Sequence, residues 1–234
     1  MLLVVIPFTS KEVPLVLKNL ALAKKFDGRL PNPVLLTCEE DTQCVADVQC
    51  KATELFATVQ LFTYSPWTGI KEWPFGPNHA FKNTAGFISD SRNTKPWLWW
   101  EADATPLCKG WLEVLDMAHQ AGGKPFSGHV VGGMEHMNGV GIYPPDVREY
   151  SAKALLCNRT PWDIGMKSDT QHHTHAINGL ILHYWNIHEG ANYNGPLGIP
   201  LSVKSRKELK RWITDDAVLL HRCKDGSVAD VLLK

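Results

Sequence analysis

Glu101 and Asp103, two carboxylates spaced i, i+2, close an apolar run that begins at Pro96 and carries Trp97, Leu98, Trp99 and Trp100. Such a run predicts a strand buried inside a sheet, and open α/β sheets bind ligands beyond the carboxyl ends of their strands. Two acids there, with His221 of the late His221-Arg222-Cys223-Lys224 stretch, supply the donor types for a divalent cation clamped on a phosphorylated substrate. The same acids would also occur where a buried strand merely reaches solvent. Other candidates carry the same two-sided reading. Asp163, in Pro161-Trp162-Asp163-Ile164-Gly165, is placed either to take a proton or to cap a helix. Trp162 is either a stacking platform for an acceptor or a core residue. Lys82 and Asn83 either touch a phosphorylated substrate or face solvent from a helix. His172-His173-Thr174-His175 lacks the i, i+4 pair of a helical zinc site and has no CxxC partner, so a structural role is preferred.

The elements that would position these residues follow from pattern. Leu2–Pro7, Val34–Cys38 and Val59–Tyr64 predict strands, alternating with helices over Pro14–Phe26 and Thr42–Ala57, the opening of a doubly wound sheet. A Pro-, Gly- and Trp-rich loop over Ser65–Pro77 leads to a helix over Asn78–Ser89, then to the tryptophan strand. We expect part of Pro66–Pro77, with Trp67 and Trp73, to act as a cover over a bound substrate. Leu107–Ala121 predicts a helix bounded by Pro106 and Gly122-Gly123. Further on, strands are expected over Pro125–Val131 and Asn138–Tyr143, a helix over Glu149–Leu156, an apolar β-rich segment over Leu180–Ile187 and a last strand over Ala217–Leu220.

At 234 residues and 44% hydrophobic, the chain can bury one large core, so a single domain over 1–234 is expected. Lys plus Arg equals Asp plus Glu at 24 each, so no global field draws it to nucleic acid or an anionic membrane. The basic run Lys204–Arg211 reads first as a solvated helix and second as a local holder of DNA phosphates. The six cysteines form no CxxC pair and read as reduced thiols, as in a cytoplasmic protein. Met1–Phe8 is too short for a signal core, and no run is long enough to span a bilayer, so no membrane partner is expected. The pattern specifies no oligomeric state.

The ordered series Gly76-Pro77-Asn78-His79-Ala80-Phe81-Lys82-Asn83, Trp97–Asp103, Pro106 and Trp111–Leu115 resembles the nucleotide-binding half of GT-A glycosyltransferases. These are Rossmann-like α/β proteins with a mostly parallel central sheet flanked by helices. The resemblance places the family's acidic DxD motif at Glu101-Ala102-Asp103, with Glu in place of the first Asp. It implies that Asp103 binds the metal, that Glu101 binds it through water or holds the ribose, and that His221 completes the shell. Pro7 and Thr9 would lie in the loop after the first strand, Glu39 and Asp41 at the nucleoside, and Lys224 near the diphosphate. The cofactor would be Mn²⁺ or Mg²⁺, and an imidazole ligand tilts the choice toward manganese. Residues 1–121 would bind the nucleotide sugar, a UDP-sugar, and residues 122–234 the acceptor. The resemblance also makes Asp163 the base, with Asp169 second.

His136–Pro144, with Asn138 at the acceptor, is similar to small glycosyltransferase-like proteins of tailed bacteriophages. That implies a hydroxyl acceptor of phage type, including hydroxymethylated pyrimidines in DNA, and a host-cytoplasmic location. The neutral net charge gives a DNA acceptor no support of its own. Saccharide and protein acceptors are the alternatives. A nucleotidyltransferase should carry a Gly-rich, basic loop after the first strand, which Pro7–Glu12 lacks; a catalytically silent nucleotide-binding module would keep the fold without turnover.

Overall fold

The computed structural model describes residues 1–69, 73–132, 135–152, 159–183 and 202–234. Its first half alternates β1 (Leu3–Pro7), α1 (Val13–Asp27), β2 (Leu30–Glu39), α2 (Val45–Leu55), β3 (Phe56–Tyr64), α3 (Phe75–Asp90) and β4 (Trp97–Trp99). Val4, Val5 and Ile6 are all buried, as a strand covered on both faces requires. α1 starts with a proline in its first turn and stops at Gly28, whose φ of 71° suits glycine. β3, β2, β1 and β4 pair in parallel in that order. β1 therefore has β2 on one side and β4 on the other, and the crevice at this switch point opens above Pro7 and Trp100.

The chain continues through β5 (Thr105–Pro106), α4 (Trp111–Gly122), β6 (Phe126–Val131) and β7 (His136–Tyr143). β7 runs antiparallel to β4, with Trp99 opposite Gly141. Two short helices, α5 (Trp162–Gly165) and α6 (Lys167–Thr170), precede β8 (Thr174–Ala176), which pairs in parallel with β6. The large sheet thus has the order β3-β2-β1-β4-β7-β6-β8. β9 (Ile181–His183), α7 (Arg206–Leu209), β10 (Leu219–His221) and α8 (Ser227–Leu233) follow. A second sheet, β5-β10-β9, sits beyond the acidic end of β4.

The tryptophan strand divides its side chains between two layers. Trp97 and Trp99 pack with Phe81, Tyr143 and Trp162 on one face; Trp100 turns to the other and meets Trp111 with ring centroids 4.8 Å apart. Each such ring contributes roughly 1.5–3 kcal/mol by burial alone, so the strand that presents the acids is rigid.

Several expectations are corrected. Of the helix expected over Glu149–Leu156, residues 153–156 lie outside the described residues; residues 149–152 are not α-helical, and a 3-10 turn, Val147–Glu149, stands at its expected start, where Asp146 accepts the Arg148 N–H and grips its guanidinium. The last strand runs to His221 rather than stopping at Leu220. β9 covers only the start of the expected apolar segment, and residues 184–187 are not described. Among the described residues no helix is long and apolar enough to cross a membrane, and Cys38, Cys44, Cys50, Cys108 and Cys223 are free thiols.

Candidate metal and nucleotide site

The turn after β4 is fastened from several sides. Trp100 N–H donates to Val5 O at 2.8 Å, and Ala104 N–H to Glu101 O at 3.0 Å, which closes the turn. The buried Asn19 of α1 donates its amide to the carbonyls of Ala102 (2.8 Å) and Ala104 (3.2 Å), and the Trp100 indole donates to Ala104 O at 2.7 Å. Cys223 N–H donates to Asp103 O at 2.8 Å and ties the end of β10 to the same turn. The acids therefore sit on a backbone whose polar groups are spoken for.

Three side chains converge there. His221 Nε2 lies 3.1 Å from Glu101 Oε2 and 3.1 Å from Asp103 Oδ1. One oxygen or nitrogen from each of Glu101, Asp103 and His221 falls within 4.8 Å of the others. Burial works against a charged His221, but the Asp103 and Glu101 carboxylates override it and raise the imidazole to about 9. Burial likewise pushes the Asp103 carboxyl up, and His221, Lys224 and Arg222 overrule it, holding Asp103 below the usual carboxylate range.

The donor set fits a divalent cation. Asp103 Oδ1 is buried and accepts no well-aligned hydrogen bond, and a single imidazole N–H cannot satisfy two carboxylates at once. A third carboxylate adds to the demand: Glu12 is raised by its burial and further by the charges of Glu101 and Asp103, although Thr9 donates both its N–H (2.9 Å) and its hydroxyl (2.8 Å) to it. Carboxylate oxygens with one imidazole, in a crevice open to phosphate and water, suit Mn²⁺ or Mg²⁺.

The remaining residues predicted from sequence fall into three groups. Pro7 ends β1, the exposed Thr9 lies in the loop after it and bonds Glu12, and the charge of the exposed Lys224 acts on Asp103 from the loop after β10. Glu39 and Asp41 close β2; Glu39 Oε1 accepts Trp67 N–H at 3.0 Å, while Asp41 is exposed. Trp67 packs against His79 with centroids 5.1 Å apart, whereas residues 70–72 of the expected donor cover are not described. Lys82 is exposed on α3 and Asn83 bonds back to His79 O at 2.8 Å; no contact joins either to the three-ligand cluster.

Among the residues expected to meet an acceptor, Trp162 is buried, stacked on Phe81 at 4.8 Å, with its main-chain N–H fixed by Asn78 Oδ1 at 2.9 Å. It is a wall of the site's floor rather than an exposed platform. Asp163 is not an N-cap: it lies in the first turn of α5, with Oδ1 accepting Ile164 N–H at 2.9 Å. Its burial raises its carboxyl to about 6, with the Glu101 charge adding to the shift. His136 Nε2 stands 3.8 Å from Asp163 Oδ2. Asn138 is half-buried in β7, beside the buried Gly139 that adjoins Glu101. Asp169 is occupied by Ser151 at 2.7 Å.

Sequence reasoning missed Glu12, Asn19 and Arg222. Glu12 was signalled by Thr9-x-x-Glu12, the spacing of a capping box ahead of α1. Arg222 adopts φ 80°, a left-handed conformation uncommon outside glycine, and its charge acts on Asp103. Asn19 carried no local signal, since its role is defined by carbonyls on a distant segment.

No family model matches the sequence, and no curated protein matches it. Solved structures do match in fold. The galactosyltransferase LgtC, solved with donor and acceptor sugar analogues, superposes with a TM-score of 0.61 at 8% identity over 95% of this chain and 87% of its own. Mouse xyloside xylosyltransferase 1 gives 0.59 at 8% identity over 94% and 97%. TarS of S. aureus, residues 1–349 with UDP, gives 0.50 at 13% identity over 76% and 58%. The architecture of this chain, a mostly parallel central sheet flanked by helices, is that of GT-A glycosyltransferases.

Proposed function

We propose that this protein is a metal-dependent glycosyltransferase that moves a sugar from a nucleoside diphosphate donor, a UDP-sugar, to a hydroxyl acceptor. The observation that carries the reading is the convergence of Glu101, Asp103 and His221 at the switch-point crevice of a GT-A sheet. The fold neighbours support the donor class: LgtC was solved with donor and acceptor sugar analogues and TarS with UDP.

Glu101, Asp103 and His221 would hold Mn²⁺ or Mg²⁺, which supplies positive charge to the diphosphate as it departs. The exposed Lys224, whose charge acts on Asp103, would pair with a phosphate oxygen, and Pro7 and Thr9 would shape the loop after β1. Glu39 and Asp41 line the nucleoside end. Lys82 and Asn83 are further donor contacts that would need the Ser65–Pro77 segment to bring the nucleotide to α3. Residues 1–121 would thus bind most of the donor, with His221 and Lys224 added from the C-terminal end, and the rest of residues 122–234, through Asn138 and the start of α5 at Trp162, the acceptor.

In an inverting displacement, Asp163 takes the proton of the acceptor hydroxyl while that oxygen forms its bond to the anomeric carbon. The carbon–oxygen bond to the diphosphate breaks, and its electron pair leaves on the UDP. A carboxyl raised to about 6 is a stronger base than a solvated aspartate and is still ionised at neutral pH.

A hydroxymethylated pyrimidine in phage DNA is the acceptor we favour, on the resemblance of His136–Pro144; saccharide and protein hydroxyls are the competitors. The deciding experiment incubates the protein with Mn²⁺, a panel of nucleotide sugars and saccharide, peptide or hydroxymethylpyrimidine-DNA acceptors, with products read by mass spectrometry. A hexose mass added to one acceptor class supports transfer. UDP binding without donor consumption in any arm would instead favour a silent binding module.

A further inference from the structure

Where GT-A proteins carry aspartate first in the acidic motif, this chain carries Glu101, one methylene longer, and a longer side chain has more ways to miss its target. The surroundings remove that freedom. Glu101 Oε1 accepts the indole N–H of Trp99 at 3.2 Å, which leaves Oε2 directed at His221. Gly139 approaches the same oxygen. A methyl group there would lie 2.9 Å from Glu101 Oε1 and 2.9 Å from the Trp162 ring, closer than either contact allows. Gly139 has no room to yield, because its carbonyl accepts the Tyr143 hydroxyl at 2.7 Å and Tyr143 also receives the Trp162 indole at 3.4 Å. Trp162 in turn is wedged between Phe81 and Trp99.

We propose that Trp99 and Gly139 are positioning residues that aim Glu101 at the cation, so that the longer acid serves as a direct metal ligand. This rests on the metal site assigned above. The chemistry is that of an outer shell: a hydrogen bond fixes one oxygen of a ligating carboxylate, a close backbone approach excludes the rotamers that would swing it away, and the cost of freeing the ligand falls on cation affinity.

The test is a double-mutant cycle read by Mn²⁺ calorimetry without nucleotide. Trp99→Phe, which keeps an aromatic ring but loses the donor, and Gly139→Ala are each expected to weaken Mn²⁺ binding by about tenfold or more. In a Glu101→Ala background the same two changes should cost nothing further, because their effect passes through that carboxylate. Losses that persist in the Glu101→Ala background, or wild-type affinity in both single variants, overturn the proposal. Thermal melting in EDTA separates misfolding from ligand loss, and Trp99→Phe keeps the cycle readable if Gly139→Ala does not fold. A metal-free readout accompanies it: the Trp99 indole N–H resonance in EDTA should move on Glu101→Ala and on Gly139→Ala, and an unmoved resonance in both also overturns the assignment. Wild-type protein that binds no Mn²⁺ while the resonance moves as expected would instead fault the metal site and, with it, the role of Glu101 as ligand.

Discussion

The main-chain N–H of Cys223 donates to the main-chain carbonyl of Asp103 at 2.8 Å, which joins the last strand of the small sheet to the acidic turn of the large one. His221, two residues before Cys223, is thereby held opposite Glu101 and Asp103 by backbone rather than by side-chain contact alone. Substitutions at the ligands should therefore change chemistry without dismantling the fold.

Asp103→Ala should leave the far-UV spectrum unchanged and weaken Mn²⁺-dependent UDP binding by on the order of 100-fold, since it removes a ligand rather than a ligand's support. Calorimetric titration in the presence and absence of Mn²⁺ checks this. Equal UDP affinity in variant and wild type would remove Asp103 from the site.

Asp163→Asn should keep UDP binding and lower kcat by roughly 10²–10⁴. Because the wild-type carboxyl is raised to about 6, kcat should rise with pH through about 6 as the base loses its proton, and that limb should vanish in the variant. The same shift has a stability sign. A carboxyl that holds its proton more tightly when folded stabilises below the unfolded value near 4, and that stabilisation is lost as pH rises through about 6. Asp163→Asn should thus unfold like wild type at pH 4 and be more stable at pH 8, by at most about 3 kcal/mol. Urea titrations at the two pH values decide it, and a variant less stable than wild type at pH 8 would contradict the burial cost assigned to Asp163.

Cation binding should compete with a proton. His221 is raised to about 9 by its two carboxylates, so it must give up a proton to become a ligand at neutral pH. Mn²⁺ affinity should climb with pH up to about 9, with close to one proton released per cation near pH 7.5. Calorimetry in two buffers of different ionisation enthalpy measures that proton directly; none released would exclude His221 from the shell.

Asn19→Leu leaves the Ala102 carbonyl without its Asn19 donor in a buried place. The loss should be about 2–4 kcal/mol in urea denaturation, larger than for a surface change, and Mn²⁺ affinity should fall with it as the acidic turn loosens. Unchanged stability would mean that the turn holds itself.

The first half of the fold was legible because β1, the Val34–Leu36 centre of β2 and β4 are apolar runs and β3 is rich in β-branched and aromatic residues, with periodic helices between them, a pattern that needs no long-range information. β5 and β8 were not, since two- and three-residue strands exist only through their partners, Leu219–Leu220 and Phe126–Gly128. α8 left a signal that went unread: Gly226, at φ 70°, followed by an apolar periodic run. In the site, Asp103 and His221 stood out by type and order, whereas Asn19 and Gly139 act through atoms that no local spacing reveals. Trp162 stood out as an aromatic next to an acid, but its burial among Phe81 and Trp99 is a property of packed layers.

The junction between the two sheets also sets when the site can exist. A domain folds as a unit once its elements have been made, and Glu12, Glu101 and Asp103 all precede His221 in the chain. Until β10 docks, those carboxylates face one another without an imidazole between them, a repulsive arrangement with no complete cation shell. On the proposed metal site, the cation shell would therefore be complete only once the small sheet has closed on the large one.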